Sequence, residues 1–178
     1  MSNPDRSDSE VIEIDLRNPA VAALWAWLIP GAGHFYQRRI GKGLVFMICV
    51  LSTYFFGFTL GGGKVVYASF RSKDLRWQYV CQVGVGAAAL PAMVQSYRVK
   101  NNRPPLMDGF MAPPIKPEPE YKDELAEWHE EYHVFFELGT LYTMVAGLLN
   151  VLAIYDAYAG PMIISDEEET REKPPPGD

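Results

Sequence analysis

Twenty-one consecutive residues, Gly43 to Gly63 (GLVFMICVLSTYFFGFTLGGG), carry no charged side chain. As a helix this run is about 31 Å long, enough to cross the roughly 30 Å hydrocarbon layer of a bilayer. A window of that kind is rare in a soluble fold of this size. Three more windows share the character: 19–36, 77–97 and 134–158. The first opens with Asn18 as N-cap and Pro19 at the first helical position, then breaks at Pro30-Gly31-Ala32-Gly33, where a kink or early unwinding is expected. The third has Trp77 and Tyr79 at one end and Tyr97 at the other, the placement amphipathic rings take at an interface. The fourth holds Asn150, with Glu137 near its start and Asp156 near its end.

Charge is partitioned in the same sense. Of the 22 acidic residues only Asp74 falls between Leu16 and Met107, so the middle is apolar and weakly basic. With a net charge of −6 and no dense basic stripe, the chain lacks the phosphate footprint of a nucleic-acid binder. Cys49 and Cys81 lie in apolar runs and read as small buried hydrophobes, not as a disulfide framework. Residues 1–18 lack the basic start and apolar centre of a signal peptide. Connection 98–133 is proline-rich between Pro104 and Pro119. It then becomes YKDELAEWHEEYH, in which Leu125, Trp128 and Tyr132 are spaced as on one helical face.

The expectation is therefore an all-α polytopic membrane protein. It has four transmembrane helices, one acidic amphipathic helix in the third connection, and acidic tails at 1–18 and 160–178. An even number of spans places both tails on one side of the cell membrane. Lys and Arg are split evenly between the two orientations. Those nearest the membrane (Arg38, Arg39, Lys42, Arg98, Lys100 and Arg103) favour tails outside.

Three groups of polar residues then call for roles. Arg38, Arg39 and Lys42 sit in a tight turn permitted by Gly31, Gly33, Gly41 and Gly43, where they can meet anionic headgroups or a partner. Gln82 and Asn150, at membrane depth, need interhelical hydrogen bonds. With four spans Asp156 shares a face with the second connection, so Lys64 or Arg76 is its expected partner. The same topology puts the Arg38–Arg39 turn beside the acidic helix, which is expected to fold over it. Small-residue stripes, Gly84/Ala88/Ala92 and Gly57/Gly61, offer packing surfaces within the chain or between copies.

One catalytic motif appears. His129-Glu130-Glu131-Tyr132-His133 matches H-E-x-x-H, in which two histidines a turn apart bind zinc and the glutamate serves as base. Four spans would bring His34 to the same side as a third ligand. Glu137, two turns from His129 on a continuous helix, lies about 12 Å away and makes a poor one. The stretch is rich in glutamate, so the motif arises readily by chance. Gly61-Gly62-Gly63-Lys64 lacks the spacing and the Ser/Thr of a phosphate loop. No cofactor is expected. The sequence reads as a non-enzymatic protein that binds membrane lipids, a membrane-protein partner or its own copies, with a membrane zinc metalloprotease as the alternative.

The segment PGAGHFYQRRIGKG, between two apolar runs, resembles the connection of the two-transmembrane-helix hairpin domain: a small-residue turn, an aromatic pair, basic residues and a glycine-led second helix. His34 stands where that domain often has an acid. With LLNVLAIYDAY near the end of the fourth window, the chain is similar to a family of uncharacterised small multi-pass bacterial membrane proteins. That resemblance implies membrane residence and no assigned activity.

Overall fold

The computed structural model describes residues 17–71, 74–114 and 123–160. Most of both acidic tails and residues 115–122 of the third connection lie outside the described residues. The elements are α1 (Pro19–Leu28), α2 (Ala32–Tyr36), α3 (Ile40–Leu60), β1 (Phe70–Arg71), β2 (Asp74–Leu75), α4 (Gln78–Gln82), α5 (Leu90–Lys100), α6 (Glu124–Tyr132) and α7 (Val134–Ala159). The two short strands form one antiparallel ladder, Phe70 opposite Leu75 and Arg71 opposite Asp74. Everything else of size is helical.

Two helices, α3 and α7, are long and apolar enough to cross a membrane; the expected four spans reduce to these two. They run antiparallel. Lys42, at the start of α3, meets Asp156 at the end of α7, while Gly57 near the end of α3 faces Gly139 near the start of α7. The turn and the end of α7 thus define a near end of the bundle. The end of α3 and the start of α7 define a far end.

The other two windows turn back partway. Asn18 caps α1 by accepting from the amides of Ala20 and Val21. The helix then stops at Leu28 because the run from Pro30 to Gly31 cannot continue it. The α2 segment returns to the near end, where the Arg17 guanidinium donates to the Tyr36 carbonyl at 2.9 Å. At the far end α4 continues into a 3-10 stretch, Val83–Ala88, which breaks at Gly86 (φ 77, ψ −127). A Cβ at Gly86 would run into the Trp27 carbonyl oxygen, so conformation and space both demand glycine there. From this point α5 runs back outward.

The two hairpins meet tip to tip against the middle of α7. The Trp27 indole donates to the Val83 carbonyl at 3.2 Å. The Asn150 amide, fully buried, donates to the Ala26 carbonyl at 3.1 Å and the Gly84 carbonyl at 2.8 Å. Gln82, equally buried, donates to Val65 O at 3.1 Å and to the Thr143 hydroxyl at 2.8 Å. Tyr54 and Tyr79 donate to the carbonyls of Ala88 and Ala89. Backbone carbonyls released by the helix breaks are thereby bonded, as a buried break requires.

The acidic helix forms as α6 but packs at the far end. Trp128, 5% exposed, lies against Tyr67 and Phe136 with the Lys64 ammonium over its ring. The expected fold of this helix over the Arg38–Arg39 turn is therefore corrected. Burying a large aromatic contributes about 1.5–3 kcal/mol, whereas exposed ion pairs give about 0–1. Apolar burial decides the docking. The small-residue stripes are used within the chain: Gly84 packs on Gly147, and Gly57 on Gly139.

Candidate functional site

The most concentrated polar chemistry gathers at the near end around one carboxylate. Arg38 adopts φ 63 and, with Arg39, reverses the chain between α2 and α3; the Arg39 amide donates to the His34 carbonyl at 2.8 Å. That reversal points His34 inward, where it is 0% exposed and stands 4.9 Å from the Phe46 ring. From α7, Asp156 places a carboxylate oxygen 2.7 Å from His34 Nε2. Lys42 Nζ lies 2.7 Å from the same carboxylate, and Arg39 Nη2 is 3.8 Å away. The Gln37 amide donates to the Ala157 carbonyl. One acid thus ties α2, α3 and α7 together.

Asp156 is consequently corrected from its expected pairing with Lys64 or Arg76. Those residues are at the far end, because α7 starts there and ends beside the turn. The Arg76 guanidinium donates to the Tyr67 hydroxyl at 2.8 Å, Val65 O at 2.9 Å and Thr140 Oγ1 at 3.3 Å. Burial pulls its pKa below the ordinary value, with the Tyr67 oxygen opposing the shift. Residues 17 and 160 lie at the same end of the bundle as the basic turn.

The clasp is charge-asymmetric. Two cations, Arg39 and Lys42, flank one carboxylate, and Arg38, beside them in the turn, is exposed. His34 Nδ1, Arg39 Nη1 and Gln37 Oε1 are buried without a hydrogen-bond partner among the described residues. The His34 ring nitrogen Nε2 has the Asp156 carboxylate as its partner. The arrangement orders the turn and presents positive charge beside it.

At the far end the H-E-x-x-H segment is interrupted. His133 takes φ 47 and breaks the helix between α6 and α7. The break folds Glu137 back to 3.2 Å from His129 Nε2, correcting the 12 Å expected for a continuous helix. His129 Nδ1 also contacts Leu125 O at 2.8 Å. His34 belongs to the opposite end, so the three histidines are not brought together. Among the described residues no group of three His, Cys, Asp or Glu gathers that could hold a metal ion. The His129–Glu137 pair is exposed, and such pairs contribute about 0–1 kcal/mol. We expect His129→Ala to lower the unfolding free energy by no more than about 1 kcal/mol. A rise in melting temperature on zinc addition, lost in His129→Ala, would contradict this.

The Asp156 clasp was hidden from the sequence by the number of spans. With α3 and α7 as the two long helices, Lys42 and Asp156 each lie about one turn from the same end of oppositely directed helices. That was the signal available.

Fold and site together define a helical protein with two helices able to cross a membrane, two inserted hairpins and a basic turn held by one acid. The chain belongs to a family of unknown function (DUF6677), whose model matches residues 21–170. The match takes in nearly all of the helical body, and agrees with the expected resemblance to an uncharacterised family. No curated protein and no solved structure matches the chain.

Proposed function

We propose that this is an integral membrane protein in which α3 and α7 cross the bilayer, the two hairpins enter from opposite sides, and the Arg38–Arg39–Lys42 turn meets anionic headgroups without catalysing a reaction. One observation supports the reading above others. Only 22% of the apolar window of α3 and 39% of that of α7 is buried inside the protein. The remainder is large and apolar: Val45, Ile48, Phe55, Phe56 and Leu152 are all more than half exposed. A patch of that size on a soluble monomer would be an aggregation liability, and hydrocarbon is its natural cover. Polar atoms meanwhile turn inward, to Asn150, Gln82 and Asp156. The basic turn suits a lipid surface, where each cation is worth about 1 kcal/mol.

Cys49 supplies the test. It is exposed on the protein yet lies nine residues into α3, about 13 Å along the axis and near mid-bilayer. In sealed membranes carrying the Cys81→Ser variant, a charged maleimide should fail to label Cys49 until detergent and denaturant are added. Rapid labelling in intact membranes, or release of folded protein by alkaline carbonate, would overturn the reading.

A further inference from the structure

Between β1 and the last two turns of α5 lies a cavity of about 240 Å³ that nothing above uses. Its wall is apolar, contributed by Phe70, Met93 and Tyr97, and among the described residues no acidic one lines it. Three polar groups interrupt that wall. Ser69 is 7% exposed, yet its hydroxyl has no hydrogen-bond partner among the described residues, and neither has that of Ser96. Lys100 stands at the outer end. The carbonyls of the last turn of α5 already accept from the amides of Asn101, Asn102 and Arg103. The negative end of the helix is thereby satisfied, and Lys100 is the charged group among the described lining residues.

The cavity has a direction. Its lining runs from Met93 to Lys100, about 10 Å along α5. The start of α5 is deep, since Tyr54, in the body of α3, bonds the Ala88 carbonyl; its end carries Arg98 and Lys100. An occupant must be apolar at the inner end, anionic at the outer, and a hydrogen-bond acceptor between the serines.

We propose that this cleft binds one long-chain carboxylate. Its head is held by Lys100 and the Ser69 and Ser96 hydroxyls, and its alkyl chain lies along Phe70, Met93 and Tyr97 toward the middle of the bundle. A carboxylate has two acceptor oxygens and one charge, which match two hydroxyls and one ammonium. The volume is below the roughly 300–1,000 Å³ of pockets that enclose drug-sized ligands. It admits a carboxyl and the head-proximal part of one alkyl chain. The site goes beyond the membrane reading and fails separately from it, because labelling at Ser69 and α5 does not depend on Cys49 protection.

The test uses full-length protein in mild detergent with three photoactivatable probes carrying the same mid-chain diazirine: palmitic acid, hexadecanol and a lysophosphatidate. Palmitic acid should label peptides containing Ser69–Phe70 and Met93–Lys100, and unlabelled palmitate should compete. Lys100→Glu should cut that labelling by about tenfold, the loss of one charge-assisted hydrogen bond. Lys100→Arg should retain it, and Ser96→Leu should abolish it by filling the cleft. Lys100 is exposed, so its variants fold. Equal labelling by hexadecanol, stronger labelling by the lysophosphatidate, or label spread evenly over α3 and α7 would each overturn the proposal.

Discussion

Gly147→Ala is expected to cost about 2–3 kcal/mol of unfolding free energy, although alanine is the better helix former. Two effects compete at this position. In the interior of α7, replacing glycine by alanine gains about 1 kcal/mol of backbone propensity. The added Cβ, however, would collide with the carbonyl oxygen of Cys81 in α4, and a carbonyl has no rotamer by which to withdraw. Overpacking commonly costs 1–3 kcal/mol, and a backbone opponent puts this case at or above the upper end. Across the contact, a Cβ on Gly84 would stand 2.6 Å from the Gly147 carbonyl oxygen, so neither side has slack. Gly41→Ala is the control. Nothing lies within 4 Å of its added Cβ, and the first turn of α3 should gain a few tenths of a kcal/mol. Denaturant unfolding in detergent micelles measures both; a Gly147→Ala protein as stable as the parent would refute the close approach of α7 to α4.

A loss of similar size is expected for Asp156→Ala. The substitution strips His34 Nε2, inside a wholly buried ring, of its partner and leaves Lys42 and Arg39 facing each other without an anion. Hydrogen bonds to charged groups contribute about 1.5–3 kcal/mol. Because the Asp156 side chain is 32% exposed and Lys42 40%, water recovers part of the lysine's share. The net expectation is about 2–3 kcal/mol, concentrated on His34. The ordering discriminates: Asp156→Ala should cost most, Asp156→Asn roughly half, since it keeps one acceptor, and Lys42→Ala no more than about 1 kcal/mol. If Lys42→Ala proved as damaging as Asp156→Ala, the buried histidine would not be what the carboxylate serves.

How far these features could be read from the residues follows from what each depends on. The helix of α3 is local: twenty-one apolar residues with no charge admit few other states, and the sequence marked its position within three residues at either end. The break after Leu28 was also visible, because proline and glycine act on their own backbone. The break at Gly86 was not. Val83 to Ala88 reads as a continuous apolar helix, and only the approach of Trp27 from a segment more than fifty residues earlier makes the reversal favourable. The amides of Gln82 and Asn150 advertised a need for partners without naming them; their acceptors include carbonyls that the breaks set free. The Asp156 clasp failed for the same reason, since its members meet only once it is known which windows form long helices. His133 carried no mark at all, as nothing about a histidine foretells positive φ.

The junction of the two hairpins on Asn150 bears on the order in which the chain is made. A ribosome releases both hairpins before it reaches α7. Until then the carbonyls of Ala26 and Gly84 lack the donor that finally holds them, and His34 lacks its acid. Those two acceptors and His34 therefore wait for a single late helix, while the Trp27–Val83 and Tyr54–Ala88 bonds need only earlier segments. Emergence of Asn150 supplies the bond at the middle, and Asp156, six residues later, supplies the one at the near end. A chain lacking Asn150 leaves the Ala26 and Gly84 carbonyls without that donor, so the junction of the hairpins is completed last.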